Sequence, residues 1–294
     1  MRIFVAVDGS ASADAVMEEV VRRPWPPGSE FALVTAVDPY FFAKTPYLLD
    51  EAKQSAQKSL EDRAKPLANA GLRVSSNIIF DNPRHGLPRT AREWKADLIL
   101  MGSHGRGAVG RLLMGSTAQT VMRHADCSVE VVRSFSKRGG LENGMRVLVP
   151  TDGSEHAEAA LRFVASQPWP KGSEFQVISS PEYPVLVGEY PYYAPEQLAE
   201  LTRCSRVEAG KAAKSGGEML AAAGLRTTCE VSESKDTTAH SILENAEEWK
   251  ADLIVLGSHG RRGFDRLIMG SVSETVALQA KCSVAVVRVQ PAVL

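Results

Sequence analysis

"DLILMGSHGRGAVGRLLMGSTAQTVMRHADCSVEVVR" runs from Asp97 to Arg133, and "DLIVLGSHGRRGFDRLIMGSVSETVALQAKCSVAVVR" returns from Asp252 to Arg288. Each copy reads as an apolar strand, a glycine- and arginine-bearing loop, a helix and a second apolar strand. Two strands joined through a helix pair in parallel, because a tight turn connects only antiparallel neighbours. Near-continuous apolar strands then call for helices on both faces of the sheet, since a strand with one wet face alternates.

The same alternation extends upstream. "MRIFVAVDGS" is a strand that turns at Asp8-Gly9-Ser10, and "ADAVMEEVVRR" has helical spacing at Ala15, Val16, Glu19 and Val20. "FALVTAV" and "RVSSNIIF" read as further strands, with a helix from Glu51 that stops at Gly71 between them and a short helix around "RTAREW" after. "MRVLVPTDGS" repeats the opening 144 positions on, whereas "EWKADLIVLGSHGR" follows "EWKADLILMGSHGR" by 155, so the second copy carries 11 extra residues between Phe175 and Trp249. A repeat of this size is a duplicated domain and no solenoid unit. The domains are expected at 1–135 and 144–290, joined by the polar, glycine-bearing "SFSKRGGLENG".

Bulk properties exclude several classes. The chain has 294 residues, 44% hydrophobic and 23% charged, with a net charge of −1, which gives no reason to expect nucleic acid or an anionic membrane as partner. The charge divides unevenly: residues 1–140 hold 19 Lys+Arg against 15 Asp+Glu, and the remainder 15 against 20. Cys127, Cys204, Cys229 and Cys282 show no CxxC spacing, so neither zinc nor a disulfide framework is indicated. The opening turns polar too soon for a signal peptide and no apolar run is long enough to span a membrane, so a cytoplasmic protein is expected.

In sheets of this kind ligands sit beyond the carboxyl ends of strands, where strand order reverses. Two loops per copy look built for that place. One is the Asp8 turn (Asp152 in the second copy); the other holds Gly102, Gly105, Gly115 and Ser116, or Gly257, Gly260, Gly270 and Ser271. Glycines let backbone N–H groups approach a phosphate, and the helix opening at Gly115-Ser116 offers its positive dipole end. Arg106 and Arg111, or Arg261, Arg262 and Arg266, add positive charge. The plainer reading makes Ser116 with Gln119, and Ser271 with Glu274, capping boxes that any helix might use. The coincidence of the glycines with an aspartate at the other lip favours a ligand, since a carboxylate there accepts hydrogen bonds from adenine or ribose.

The G-x2-G-x9-G-[ST] spacing after a strand, with the "VxxDGS" opening and "CSVxVVR" ending, resembles the universal stress protein family over both halves, in a tandem arrangement. The resemblance implies two Rossmann-like (adenine nucleotide alpha hydrolase-like) domains, each a five-stranded parallel sheet in the order 3-2-1-4-5, holding ATP between the first and fourth strands, with magnesium left open. It implies Ala6, Val7 and Asp8 around base and ribose, Ala36 on the adenine, and Met101, Gly102, Gly105, Gly115, Ser116 and Thr117 for the rest. In the second site the corresponding set is Pro150, Thr151, Asp152, Ser180, Leu256, Gly257, Gly260, Gly270, Ser271, Val272 and Ser273. Ser273 adds a hydroxyl where the first copy has Ala118, from which tighter binding in the second half is expected. "SSPEYP" ends the second copy's adenine wall differently from "TAVDPY". The family also implies pairing of the halves through their last strands, with a homodimer left open.

Other residues have plainer uses. His104 and His259 lie in the motif without a partnered carboxylate in sequence and are expected to be structural, while His85 and His240, in matching places before the third helix, are expected to make capping or surface contacts. Cys127 and Cys282 open the last strands as small core residues. "PYFFAKTPYLL" and "EYPVLVGEYPYYAPEQ" are rich in aromatics for loops, and core packing or a domain interface is expected ahead of a nucleotide lid. The functional expectation is an ATP-binding regulatory protein in stress response with little or no catalysis. The alternatives are a slow ATP-hydrolysing or ATP-activating enzyme and a nucleotide-free scaffold. No P-loop or paired carboxylate constellation favours the enzyme.

Overall fold

The computed structural model describes residues 1–105, 114–133, 144–182, 194–232, 234, 236–261 and 269–289. The first half runs β1 (Arg2–Ala6), α1 (Ala11–Arg22), β2 (Glu30–Ala36), α2 (Pro46–Asn69), β3 (Arg73–Ile79), α3 (Pro83–Glu93), β4 (Leu98–Gly102), α4 (Ser116–His124) and β5 (Ser128–Val132). The second repeats it as β6 (Arg146–Pro150), α5 (Glu155–Ser166), β7 (Glu174–Ser179), α6 (Pro195–Ala222), β8 (Thr227–Val231), α7 (Thr238–Glu248), β9 (Leu253–Gly257), α8 (Ser271–Gln279) and β10 (Ser283–Val287). The expected linker, 134–143, lies outside the described residues.

Both halves have the order 3-2-1-4-5 with parallel neighbours, and they share one sheet: β3-β2-β1-β4-β5-β10-β9-β6-β7-β8. Alternate residues of the inner strands feed opposite cores. Ile3 and Val5 pack with Val16 and Val20 of α1 and Leu60 and Leu67 of α2, while Phe4 and Ala6 pack with Leu87 of α3 and Val121 of α4. Both faces are covered, which is why β1 and β4 read as unbroken apolar runs. The α3/α4 core continues without a break into Leu148, Ile254, Val276 and Val284 of the second half. Helices α2 and α6 stop where glycine takes a positive φ, +77° at Gly71 and +78° at Gly224. α6 has 28 residues against 24 for α2, so part of the second copy's insertion adds about one turn of helix.

The halves meet through antiparallel β5 and β10, with Glu130 opposite Ala285. Two arginines related by the repeat reach across the joint. Arg133 donates to the carbonyls of Ala277 (2.5 Å) and Cys282 (3.2 Å), and Arg288 donates to those of Met122 (2.8 Å) and Arg123 (2.9 Å). Arg288 thus serves two carbonyls that the end of α4 leaves without intrahelical partners, and Arg133 serves one at the end of α8 and one just beyond it. On the α1/α5 face Arg23 is buried between the rings of Trp25 and Trp169 (4.9 and 4.7 Å to the centroids) and donates to both Glu130 oxygens at 3.1 and 2.9 Å.

The aromatic loop corrects its expectation. Tyr40, Phe41 and Tyr47 are 82%, 78% and 70% exposed, neither core nor joint. They follow β2, which β1, β4 and β5 separate from β10, so the other half does not cover them. Most of the corresponding second segment, 183–193, lies outside the described residues. Among the described residues no helix is long and apolar enough to cross a membrane.

Candidate functional site

β1 and β4 lie side by side in parallel, with Ala6 opposite Met101. The chain leaves β1 for α1 on one face and β4 for α4 on the other, which opens a crevice at their carboxyl ends. β6 and β9 pair in parallel likewise, and α5 and α8 leave to opposite faces.

One lip is the aspartate turn. Asp8 Oδ1 accepts the Ser10 N–H (2.9 Å) and hydroxyl (2.5 Å), and Ser10 Oγ caps α1 by accepting the Ala13 N–H at 3.3 Å. Asp152 Oδ1 accepts the Ser154 N–H at 3.0 Å, and Ser154 caps α5 in the same way. The serine fixes the turn, so the aspartate's second oxygen faces the opposite loop. There a Cβ on Gly105 would stand 3.0 Å from Asp8 Oδ2, and one on Gly260 2.8 Å from Asp152 Oδ2. Asp152 is engaged further: Arg261 donates its N–H to Oδ2 (3.0 Å) and its Nε–H to the Asp152 carbonyl (2.6 Å). Arg106, Arg111, Arg262 and Arg266 lie outside the described residues.

Gly102 and Gly257 serve packing. A Cβ would fall 2.6 Å from Ser12 Cβ and 2.5 Å from the His156 carbonyl carbon, because the first turns of α1 and α5 back directly onto the ends of β4 and β9. Gly115 and Gly270 are the N-caps of α4 and α8, and their N–H groups donate to the carbonyls of Ser103 and Ser258 at 2.8 Å. This corrects the capping boxes. Ser116 and Ser271 are the first helical residues, and neither helix has a side-chain cap. Gln119 instead donates to the Met114 carbonyl at 2.6 Å, and Glu274 pairs with Arg123 of the other half. The first N–H groups of both helices therefore have neither intrahelical acceptor nor cap, the arrangement that suits an anion.

A family model describing the universal stress protein family matches residues 1–133 and 145–288. The chain belongs to the universal stress protein family. It is 27% identical over 298 residues to a universal stress protein of Mycolicibacterium smegmatis, covering 97% of this chain and 96% of the relative. It is 29% identical over 243 residues to one of Mycobacterium tuberculosis, covering 81% of this chain and 77% of the relative. A crystal structure of a universal stress protein from Archaeoglobus fulgidus shares the fold at a TM-score of 0.68 and 21% identity, covering 99% and 98% of the two chains.

Not every expected site residue of this universal stress protein faces the crevice. The side chains of Met101 and Leu256 belong to the core, as does Ala6; Val7 and Pro150 are buried, and Val272 packs against the core. Thr151 is buried too, and its hydroxyl accepts the Gly153 N–H at 3.2 Å. Ser273, 4% exposed, donates its hydroxyl to the Gly257 carbonyl at 2.7 Å. That proton is not available to a phosphate, so the expected advantage of the second site loses its basis. Ala36 closes β2 half-exposed, Ser180 follows β7 and hydrogen-bonds Ser241 (2.8 Å), and Thr117 is half-exposed on the first turn of α4.

His104 Nδ1 lies 2.9 Å from Ser103 Oγ, and His259 Nδ1 lies 3.0 Å from Ser258 Oγ, with the His156 ring 4.9 Å from that of His259. Burial pushes the Cys127 and Cys282 thiols up to about 12, so both stay protonated and unreactive. One residue at the site escaped the sequence reading. Arg84 donates from Nη2 to Ser116 Oγ at 2.7 Å. The signal for it was the aligned difference between copies, Arg84 against Ala239.

Proposed function

We propose that this universal stress protein binds ATP, one molecule in each half, and acts as a cytoplasmic regulatory protein whose state follows the bound nucleotide. What carries this is the twice-built apposition of an aspartate against a glycine loop, 3.0 and 2.8 Å from a would-be Cβ, beside an uncapped helix N-terminus. Asp8 and Asp152 would accept hydrogen bonds from ribose hydroxyls or the adenine amine. Guanine carries an acceptor where adenine carries that amine, so ATP is favoured over GTP. Ala36 and Ser180 would border the base, and the N–H groups at Ser116 and Thr117, or Ser271 and Val272, would meet the phosphates. Magnesium, when bound, would neutralise phosphate charge.

Turnover is expected to be slow, because Asp8 and Asp152 are held by the serines of their own turns and are poorly placed to activate water. The test is to denature freshly purified protein and identify what is released by mass spectrometry. Adenine nucleotide is expected. Protein that releases none and gives no heat with ATP and magnesium at millimolar concentration contradicts the proposal, and a steady-state rate near the ~10 s⁻¹ typical of enzymes contradicts its regulatory part.

A further inference from the structure

Ser116 opens α4 at the end of the first crevice suited to phosphate, and its hydroxyl already meets a cation. Arg84, near the start of α3, reaches it at 2.7 Å. The backbone beneath Arg84 is anchored: Asn82 accepts the Arg84 N–H at 3.0 Å, and Asn82 Nδ2 donates to Asp38, just beyond β2, at 2.8 Å. Its neighbours on α3 are neutralised, Arg89 by Asp81 at 2.8 Å and Arg92 by Asp126. Among the described residues Arg84 has no carboxylate partner, and its planar fork holds five donors, of which Ser116 takes one. A free guanidinium beside an uncapped helix N-terminus favours a polyanion through both charge and paired hydrogen bonds.

The second half replaces this cation. In the 155 register Arg84 becomes Ala239, and Arg89 and Arg92 become Glu244 and Glu247. His240 there lies between Asp236 (3.5 Å) and Glu244 (3.2 Å). Both halves keep the aspartate turn, to which Arg261 is added in the second, and the Arg84-to-Ala239 difference falls where phosphate charge would lie. We infer that Arg84 reads phosphate charge, so that the first crevice prefers ATP to AMP, while the second takes the two more evenly. This rests on the nucleotide reading above.

The experiment titrates ATP, AMP and inorganic tripolyphosphate calorimetrically into the full chain, Arg84→Ala, Arg84→Lys and a charge control, Arg162→Ala at an exposed position of α5. Thermal melting checks that each variant is folded. Arg84→Ala should weaken ATP and tripolyphosphate about tenfold at one site, with AMP changed less than about threefold, and Arg84→Lys should recover part of the loss. An unchanged ATP-to-AMP ratio in Arg84→Ala, or an equal loss in Arg162→Ala, overturns the inference. If ATP fails to bind the unaltered chain while tripolyphosphate binds in an Arg84-dependent way, the nucleotide reading fails and the anion-reading role stands. If neither binds, both fail.

Discussion

Glu19 lies 1% exposed beside Glu130, with Arg23 Nη1 3.6 Å from its Oε1, and among the described residues neither of its carboxylate oxygens has a hydrogen-bond partner. Burial first, then the Glu130 charge, pushes its carboxyl up to about 7; Arg23 pulls the other way, and Asp252 adds a smaller upward push. Unfolded, the group has its ordinary value of 4.5. Between those values the folded chain holds a proton that the unfolded chain has lost, so this contribution falls as pH rises from 4.5 to about 7 and stays lost above. Glu19→Gln mimics the protonated form. It should raise stability at pH ~8 by on the order of 3 kcal/mol at most and leave it nearly unchanged at pH ~4, as read by urea unfolding. Equal effects at both pH values would contradict this. The helical face bearing Glu19 was legible in the spacing of Val16 and Val20. Its burial was not, because part of its cover, Trp169 over Arg23, comes from the other half of the chain.

At the scale of elements, strand-and-helix alternation and the glycine stops of α2 and α6 could be read locally, since each depends on neighbours along the chain. The helix starts could not all be. Ser116 and Ser271 are common cap residues, but the preceding glycines hold the extended cap conformation, with φ near −64° and −65°. That places both serines inside the helix and leaves the cap without a side chain. Likewise α3 begins at Pro83 after its Asn82 cap, earlier than the short helix around "RTAREW" suggested. The ends of α4 and α8 are finished by the reciprocal arginines, a solution spread over about 150 positions of sequence and invisible to a local window. Arg133→Ala should leave the carbonyls of Ala277 and Cys282 without this donor and cost about 1–3 kcal/mol. Hydrogen exchange should rise in the last turn of α8, in the half that was not mutated. Faster exchange confined to the first half would contradict the reciprocal arrangement.

Across the whole molecule, duplication supplies the symmetry and sequence drift breaks it. The sheet joins equivalent strands, yet Glu130 faces Ala285, Arg23 corresponds to Gln167, and Glu19 corresponds to Phe163. The repeat and the family motif made the order within each half legible. The uneven charge count along the chain has a structural counterpart in basic α3 and acidic α7, which composition alone could not locate. Both crevices keep the aspartate turn and the glycine that leaves room for its carboxylate, and the central claim is that each holds one ATP. Gly105 and Gly260 are both exposed, so Gly105→Val and Gly260→Val should fill a crevice without opening a core. Calorimetric titration with ATP and magnesium should give two sites in the unaltered chain, one in either variant and none in the double variant. No heat at millimolar nucleotide, or an undiminished number of sites in the variants, would contradict the account.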